Sequence, residues 1–506
     1  MNANKKLFVY NTLTKRKELF KPLEPGKVKI YTCGLTVNDY MHIGHARTYI
    51  VWDTIIRYLK YLGYEVRHVS NITDVSIDDK ILRRVKELGM TYQQLVEKFT
   101  LAYFEDRRAL GIEDADAHPL VTQHIQDIIE FIEKLMEKGY AYETEDGVYF
   151  SIKKFKDYGK LSGVKISKLR PGASGRVRTD EYDKAEVGDF ALWKKAKPGE
   201  PYWYSPWGKG RPGWHIECST LAIKYLGESI DIHAGGEDNI FPHHENEIAQ
   251  SEALTGKQFA KYWLHTKHVL LNGKKMSKSE KNYITARDAI KKYGASLLRF
   301  HLLTVHYRSK LDFRETEIES SRKRLQKLRE AATILARVID SKGGGSNLER
   351  GIGGGGTRED IEKILIKAVE EARKNFEDAM NDDFNTPLAI KAVLDLATTV
   401  TRYEKEIERS GETAKKLYKF FEETGTILLG DLFKREIVPK IDSRTRKLIE
   451  LILEEREKAR KRGDYETSDR IREKLAEVGV QVGDTPEGPV WHLIDAPPHS
   501  RKCFPF

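Results

Sequence analysis

The sequence contains little cysteine, and its three cysteines, Cys33, Cys218 and Cys503, lie far apart. So few cysteines exclude the disulfide framework of a small secreted protein and favour a reducing compartment. The chain also lacks any stretch near the roughly 18 uninterrupted apolar residues of a membrane span. Its first residues, MNANKKLFVYN, lack the apolar core of a secretory signal. We therefore expect a soluble cytoplasmic protein with no membrane partner.

An excess of acidic groups is also missing. The 87 Lys and Arg residues outnumber the 77 Asp and Glu residues, which gives a net charge of +10 and an isoelectric point near 9.0. This balance suits a polyanionic partner such as a nucleic acid, and it is equally typical of a basic protein that binds none. With 506 residues, of which 40% are hydrophobic and 32% charged, a large core is possible and global disorder is excluded.

The first part of the chain alternates strand and helix patterns. A strand with its following turn at 28–37 precedes a helix with apolar residues at helical spacing, and a second strand follows at 65–73. A similar piece runs from a strand at 231–236, through a helix after Pro242, to a strand at 262–273. Such strand–helix–strand units predict an α/β fold with a Rossmann-like parallel sheet that binds a nucleotide.

The remaining patterns divide the chain into further regions. A hairpin at 141–152 lies between the two sheet pieces, and eight glycines between Gly343 and Gly356 indicate a linker. Helical periodicity covers 314–341 and 358–430, and a helix pair with short strands at 478–482 and 488–494 ends the chain. We predict the first half of a catalytic domain at 1–117, an inserted connective subdomain at 118–205, the second half at 206–310, a helical region at 311–341, the glycine-rich linker at 342–357, a helical bundle at 358–435 and a small mixed C-terminal domain at 436–506.

Two short motifs carry the groups that a triphosphate needs. His42-Ile43-Gly44-His45 opens a helix, where free backbone N–H groups, two imidazoles and a glycine favour phosphate and a close-lying nucleotide. Lys275-Met276-Ser277-Lys278-Ser279 is a polar loop whose lysines can neutralise a departing pyrophosphate. Alone, each motif is equally explained by two surface histidines at a helix cap or by a solvated basic loop. Together, one near each end of the split sheet, they outline an ATP site.

A third set of residues offers metal donors. Cys33 ends the first strand, Cys218 lies in GWHIECS, and His243 and Glu247 lie four residues apart on one helix face. Two sulfurs, one nitrogen and one carboxylate suit zinc. The cysteines are also consistent with simple buried thiols, because no short Cys-x-x-Cys pair supports the metal.

In this order, the motifs identify the chain as similar to the class I aminoacyl-tRNA synthetases, and it specifically resembles the cysteinyl-tRNA synthetase family. The matching stretches are YTCGLTVNDYMHIGHART, NITD, GRPGWHIECS, DIHAGGEDNIFPHHENEIAQ, KMSKS and DDFNTPLAI. The resemblance covers nearly the whole chain. It implies ATP-dependent activation of L-cysteine and its transfer to the 3′ end of tRNA(Cys), with Mg2+ accompanying ATP.

The resemblance also implies roles for individual residues. Cys33, Cys218, His243 and Glu247 would ligate one zinc ion per chain, and that zinc would select the substrate thiolate over a hydroxyl, so no editing domain is needed. Gly34, Thr73, Trp214 and His233 would line the site for substrate cysteine, although Trp214 is also explained as a core aromatic. The ATP-binding residues would be His42, Gly44, His45, Asp238 and Lys278, and the catalytic residues would be His42, His45, Lys275 and Lys278.

Two stretches depart from the family pattern. NITDVSIDDKI reads as two residues longer than usual, so the alignment of Asp78, Asp79 and Lys80 is open, and Lys281 stands before Asn282 where the family has glycine. The resemblance implies stem contacts in the 311–341 region, tRNA binding by the bundle, and anticodon reading in the C-terminal region. Trp491 and the helix pair at 455–474 are its candidate readers; a core tryptophan and a solvated charged helix are the alternatives. Cys503 is interpreted as a tail thiol.

The function predicted from the sequence is therefore that of a cysteinyl-tRNA synthetase, with a monomer favoured. A related ligase that joins cysteine to an aminosugar would share the ATP and zinc motifs, but it has no use for the helices after residue 358. A non-catalytic RNA-binding relative is the other alternative, and the intact His42, His45, Lys278 and donor residues argue against it.

Overall fold

The computed structural model describes residues 6–75, 80–166, 188–276, 282–342, 358–408, 410–437, 443–485 and 488–493. The strands are β1 (Phe8–Asn11), β2 (Arg16–Leu19), β3 (Lys27–Thr32), β4 (Glu65–Ser70), β5 (Ala141–Glu143), β6 (Gly147–Phe150), β7 (Phe190–Lys195), β8 (Gly210–Pro212), β9 (Ile230–Gly236), β10 (Ala260–Thr266), β11 (Val269–Leu271), β12 (Lys274–Lys275), β13 (Leu311–Phe313), β14 (Val480–Thr485) and β15 (Gly488–Leu493). The helices are α1 (Ile43–Tyr61), α2 (Lys80–Leu88), α3 (Tyr92–Ala109), α4 (Ile125–Glu137), α5 (Trp214–Leu226), α6 (Glu245–Thr255), α7 (Ala286–Tyr293), α8 (Ala295–Leu303), α9 (Glu315–Lys342), α10 (Arg358–Asn381), α11 (Thr386–Arg402), α12 (Glu404–Ile407), α13 (Gly411–Leu429), α14 (Ser443–Lys461) and α15 (Tyr465–Glu477).

A four-stranded parallel sheet forms the centre of the first compact unit. Its strand order is β10-β9-β3-β4, and every neighbouring pair is parallel. Six of the seven residues of β9 are buried, as expected for a strand covered on both faces. Strands β3 and β9 pair at the middle of the sheet although they belong to different halves of the sequence. The predicted α/β class with a parallel sheet is confirmed.

The sequence prediction for 262–273 differs from the structure. That stretch contains two strands, because β10 ends at Thr266 and β11 joins a separate three-stranded sheet with β12 and β13. The interruption falls at Lys267 and His268, whose carbonyl groups turn toward the guanidinium of Arg47. The basic loop therefore follows the short hairpin β11–β12 and not the edge strand of the parallel sheet.

A second, antiparallel sheet, ordered β5-β6-β7-β8, lies between the two halves of the parallel sheet in sequence. Its buried Val148, Phe150 and Trp193 belong to the same hydrophobic core as Ile216 on α5 and Ile248 on α6. The predicted hairpin at 141–152 is confirmed as β5–β6. The inserted sheet thus packs on the helices that carry the candidate metal donors.

The chain divides into two compact units: 1–291, 301–315 and 377–388 form the first, and 292–300, 316–376 and 389–506 form the second. The second unit is mostly helical, as predicted, and ends in α14, α15 and the hairpin β14–β15. None of the helices in the described ranges is long and apolar enough to cross a membrane. The glycine-rich linker, Asp78, Asp79, Lys278, Lys281 and Cys503 lie outside the described residues. The predicted domain limits stay predictions.

Candidate active site and metal centre

The four predicted metal donors come together at the carboxyl end of β3. Cys33 follows that strand, Cys218 lies on α5, and Glu247 lies on α6. One ligand atom from each of these residues and from His243 lies within 4.8 Å of the others. Cys218, His243 and Glu247 are buried, and Cys33 is partly exposed. Four potential donors brought together in one place form a candidate metal centre.

Direct contacts orient this cluster. His243 lies in the turn Ile240–His244, just before α6, and its Nε2 is 3.0 Å from Glu247 Oε1. The other ring nitrogen, Nδ1, is 2.9 Å from His215 Nδ1. The ring of Trp214 stacks on His243, with centroids 4.2 Å apart and planes 21° from parallel. These contacts leave Nε2 of His243 as the nitrogen that faces the cluster, with its ring fixed from both sides.

A second donor set shares two members with the first. Cys33, His233, His244 and Glu247 also have ligand atoms within 4.8 Å of one another. His244 Nε2 is 3.2 Å from Cys33 Sγ, and His233 Nε2 is 2.7 Å from Glu247 Oε2. The sequence prediction included His233 as a substrate-site residue but missed His244. The consecutive histidines of PHHENE were the sequence signal for it.

Burial disfavours the charged forms of the titratable groups in this cluster. Burial raises the pKa of the Cys33 thiol and of the Glu247 carboxyl well above their usual values. A hydrogen bond with Cys33 lowers the pKa of Cys218, but burial and the nearby Glu247 carboxylate together outweigh it, and the pKa is raised. Burial lowers the pKa of His233 to about 3. A divalent cation would stabilise the deprotonated thiols and carboxylate that this environment otherwise disfavours.

Asn71 links the predicted substrate residues on the cysteine side of the cluster. Its Oδ1 accepts a hydrogen bond from the Gly34 amide at 2.9 Å and lies 3.7 Å from Cys218 Sγ. Its Nδ2 donates to Thr73 Oγ1 at 3.0 Å, and that hydroxyl in turn donates to Glu217. Gly34 is required here, because a Cβ at this position would lie 1.5 Å from the Asn71 carbonyl oxygen. Gly34, Thr73, Trp214 and His233 therefore all adjoin the donor cluster or its direct supports.

The first nucleotide motif caps α1, as the sequence predicted. His42 Nδ1 accepts hydrogen bonds from the backbone amides of Gly44 and His45, at 3.1 and 3.2 Å. His45 Nδ1 accepts from the His42 amide at 3.4 Å, and the two rings stack 3.6 Å apart. Because each Nδ1 acts as an acceptor, each neutral imidazole carries its proton on Nε2, where it can donate to a phosphate oxygen. A Cβ on Gly44 would meet the His42 ring at 2.9 Å, so glycine keeps this cap in place.

The second nucleotide motif begins beside the first. Lys275 ends β12 and is exposed, and the Cε of Met276 lies 3.3 Å from the position that a Gly44 Cβ would occupy. Backbone hydrogen bonds from Ile43 to Ile284 and from Ala286 to Met41 tie the far side of this loop to the start of α1. Asp238 lies in the short turn Glu237–Asn239 between β9 and α6. Both ends of the basic loop thus flank the α1 N-terminus.

Sequence reasoning missed Arg47, which holds this arrangement together. Its side chain is fully buried on α1, and its guanidinium donates to the carbonyl groups of Lys267, His306 and Ser309 at 2.8–2.9 Å. Burial lowers the pKa of Arg47 to about 10. Its position two residues after the histidine motif was a signal, but its carbonyl partners are more than 200 residues away in the sequence.

Sequence reasoning also missed Glu245, which precedes the donors on α6. The buried Glu245 carboxylate accepts hydrogen bonds from the amides of Gly159, Leu161 and Ser162, at 2.7–3.2 Å. This contact fastens the inserted region to the helix that carries Glu247. An acidic residue within PHHENE was visible in the sequence, but nothing there distinguished this carboxylate from a metal ligand.

Three family models match successive parts of the chain. The model for the catalytic domain of class I (C) tRNA synthetases matches residues 19–323. The DALR domain model matches residues 375–430, and the model for the cysteinyl-tRNA ligase anticodon binding domain matches residues 448–491. The catalytic model alone covers more than half of the chain.

Whole-length relatives give the same assignment. The cysteine–tRNA ligase of Thermococcus onnurineus is 50% identical over 489 residues, which are 96% of this chain and 99% of that protein. The cysteine–tRNA ligase of Anoxybacillus flavithermus is 48% identical, with 96% and 98% covered. The fold is similar to that of Mycobacterium tuberculosis methionyl-tRNA synthetase in complex with methionyl-adenylate, with a TM-score of 0.58, 15% identity, and 84% of this chain and 94% of that chain covered. The chain therefore belongs to the cysteine–tRNA ligase family of the class I aminoacyl-tRNA synthetases.

Proposed function

We propose that this protein is a cysteine–tRNA ligase that activates L-cysteine with ATP and transfers it to the 3′ end of tRNA(Cys). The observation that carries the proposal is the convergence of Cys33, Cys218, His243 and Glu247 close to the substrate-lining residues, on a chain 50% identical to a relative of that name. The match to an anticodon binding domain supports a tRNA acceptor over an aminosugar.

The donor cluster fits a zinc ion. Two thiols, an imidazole and a carboxylate are the donor types that zinc takes, and a cation would stabilise the deprotonated thiols and carboxylate that their surroundings disfavour. We assign Cys33, Cys218, His243 and Glu247 as the ligands, because this set holds both thiols, whereas His233 and His244 contact the same ligands from outside. When bound, zinc would supply a soft site for the thiolate of substrate cysteine and a poor one for the hydroxyl of serine.

Residues beside the cluster would position the rest of the amino acid. Trp214, stacked on His243, would close one side of the pocket, and Thr73 and Gly34 would close the side formed by Asn71. His233 contacts Glu247, and it would fix the orientation of that carboxylate. Selection by this pocket at the binding step removes the need for editing.

The α1 N-terminus would hold the triphosphate of ATP. The carboxylate of cysteine attacks the α-phosphorus, a bond to that phosphorus forms, and pyrophosphate leaves. His42 and His45 would donate from Nε2 to phosphate oxygens, and Lys275 and Lys278 would neutralise charge on the departing pyrophosphate. Asp238 would contact the adenosine or the amino group of cysteine, and Mg2+ would accompany the nucleotide. A terminal ribose hydroxyl of tRNA then attacks the adenylate carbonyl, and AMP leaves.

The helical second unit would bind the tRNA. We propose that the bundle at 358–435 contacts the tRNA body and that the region 436–506 reads the anticodon, in a monomer that works in the cytoplasm. Trp491 packs against the small core of Ile449, Leu453 and Val482, which supports the core alternative for its side chain. Asp464 caps α15, and the buried Arg456 of α14 donates hydrogen bonds to Asp484 of β14 at 2.6 and 2.9 Å.

Amino-acid-dependent exchange between ATP and pyrophosphate, without tRNA, tests the proposal. We expect exchange with cysteine, and none above background with serine or with no amino acid. Absence of exchange with every amino acid, from folded and zinc-loaded protein, would reject the activity. Transfer of labelled cysteine to tRNA(Cys) in the same preparation then separates the ligase from an aminosugar enzyme.

A further inference from the structure

In a short hairpin before α5, the tryptophans face the core of the first unit and the tyrosines face outward. Trp203 and Gly210 exchange two backbone hydrogen bonds, at 2.9 and 3.0 Å, and β8 continues from this pair. Trp207 is buried in the core of the first unit, where its ring lies 6.2 Å from that of Trp193, and Trp203 packs against the same core. The inward side of the hairpin is thus fully used in packing.

The outward side carries two tyrosines and a lysine that do not contribute to the core. Tyr202 is 43% exposed and Tyr204 is 73% exposed. Their rings meet edge to face, with centroids 5.6 Å apart. The Lys209 ammonium lies 4.5 Å from the centroid of the Tyr202 ring and 5.4 Å from that of Tyr204. We call Tyr202, Tyr204 and Lys209 the tyrosine platform.

Two lysines lie at or beside the platform, and the nearby Glu200 carboxylate pairs with Arg211. Lys197 is exposed, and the backbone amide of its neighbour Ala196 donates to the Lys209 carbonyl at 2.9 Å, so Lys197 lies close to the platform. Neither Lys197 nor Lys209 has an ion-pair partner among the residues that the structure describes. Exposed aromatic rings beside unpaired lysines are the combination that binds single-stranded nucleic acid, by stacking on bases and attraction to phosphates.

We propose that the tyrosine platform stacks unpaired bases at the 3′ end of the bound tRNA. The inference rests on the proposed function, since it assigns part of the same tRNA substrate to a surface. The 3′ end is favoured over other parts of the tRNA because the platform lies only a few residues along the chain from Trp214 of the candidate active site. Lys209 is five residues before Trp214, so the two positions are at most about 17 Å apart along the chain.

Two double substitutions of the tyrosines, one that removes the aromatic rings and one that keeps them, test the proposal. The double substitution Y202L/Y204L removes the rings but keeps apolar bulk, and Y202F/Y204F keeps the rings. We expect the leucine pair to raise the KM for tRNA(Cys) about tenfold, because one lost base–aromatic stack has about that effect on binding. The phenylalanine pair should match the wild type. Leu101→Ala, at another exposed apolar side chain of the same unit, is the control.

A tRNA without its unpaired 3′ nucleotides identifies the part bound. We expect the shortened tRNA to bind the wild-type protein more weakly, and to bind the leucine pair with little additional loss. An unchanged KM for tRNA(Cys) in the leucine pair would overturn the proposal. It would also be overturned if shortening the tRNA weakened binding to the wild type and to the leucine pair equally, because the tyrosines would then contact another part of the tRNA. Cysteine-dependent pyrophosphate exchange without tRNA should be unchanged in every variant. Its absence from the wild type would instead reject the proposed function.

Discussion

Two overlapping sets of possible metal ligands share Cys33 and Glu247. Substitution of one unshared residue from each set tests which set holds the metal. Cys218 belongs to the first set and His244 to the second. His244 already has a partner on its other nitrogen, since Nδ1 is 2.8 Å from His265 Nε2. Because the first set holds both thiols, we place His244 outside the ligand set, where its contact with Cys33 Sγ would orient that ligand.

Cys218→Ser should therefore remove the metal, whereas His244→Asn should weaken its binding without abolishing it. We expect zinc affinity to fall by more than about 100-fold in the serine variant and by about 10- to 100-fold in the asparagine variant. Zinc content after dialysis against a graded chelator measures both. ATP binding and the melting temperature of the chelated protein should change little in Cys218→Ser. Stoichiometric zinc in that variant and none in His244→Asn would reverse the assignment.

A buried histidine on β4 predicts acid sensitivity away from the metal cluster. Burial lowers the pKa of His68 from the usual 6.5 to about 3, and its Nε2 is 2.9 Å from Thr32 Oγ1. At pH values between these two pKa values, His68 binds a proton in the unfolded chain but not in the folded chain. The free energy of unfolding therefore falls as the pH drops below 6.5. From pH 7 to pH 5 this one group accounts for about 2 kcal/mol.

His68→Gln removes that group and keeps a partner for Thr32. We expect its melting temperature to fall less between pH 7 and pH 5 than that of the wild type. Thermal unfolding of both proteins at the two pH values is the measurement. The same pH-dependent fall in both would mean that His68 is charged in the folded state.

Single residues were predictable where local spacing brings them together. His243 and Glu247 are four residues apart, and the structure brings their side chains within 3.0 Å. Asn71 and Glu245 were not predictable, because their partners lie 37 to 147 residues away and depend on how the loops pack. An amide or carboxylate used to hold backbone groups has the same sequence appearance as one exposed to solvent.

At the scale of elements, the turn between α10 and α11 is held by one carboxylate. Asp383 is fully buried, and it accepts hydrogen bonds from the Tyr10 amide, the Tyr307 hydroxyl and Arg308 Nε, at 2.6–2.8 Å. Its φ angle is +61°, in the left-handed region that Asp and Asn tolerate. Tyr307 and Arg308 belong to the segment 305–309, whose carbonyl groups also accept hydrogen bonds from Arg47 on α1. The turn at Asp383 therefore supports the segment to which α1 is bound through Arg47.

Asp383→Asn should destabilise the first unit by about 1.5–3 kcal/mol, because it removes the charge of a buried carboxylate that accepts a hydrogen bond from the partly exposed Arg308. Asparagine is nearly isosteric and suits the same backbone conformation, so shape and strain do not contribute. Thermal unfolding measures the change. Asp382→Asn is the matched control, since Asp382 pairs with Lys17 at the surface and should cost less than about 1 kcal/mol. Equal melting temperatures for the two variants would contradict a buried-charge role for Asp383.

Elements with long periodic patterns were predicted closely. The helix expected at 314–341 is Glu315–Lys342, and the strand expected at 231–236 is Ile230–Gly236. The stretch at 262–273 was not, because the division between β10 and β11 depends on Arg47, a residue of another element. The strand-like sequence pattern continues from Thr266 to Val269 and gave no sign of the break between the two strands.

At the scale of the whole molecule, the net charge of +10 predicts how tRNA binding responds to salt. Lysine and arginine contacts to phosphate release counterions, so affinity falls steeply as salt rises. For an interface with six or more such contacts, we expect tRNA affinity to fall about 10^3-fold or more between about 50 and 200 mM salt. Filter binding over that range is the measurement. Cysteine-dependent pyrophosphate exchange without tRNA should change far less, and an affinity independent of salt would contradict the electrostatic contribution.

The order β10-β9-β3-β4 also has a consequence for synthesis on the ribosome. β3, α1 and β4 leave the ribosome early, but β9, which pairs with β3, begins about 200 residues later in the chain. At translation rates of about 5–20 residues per second, the apolar edge of β3 therefore waits about 10–40 s for its neighbour. During that interval the nascent chain presents one unpaired edge of β3, which is free to join another polypeptide. We expect this protein to depend on chaperones that bind nascent chains more than a fold whose neighbouring strands are consecutive.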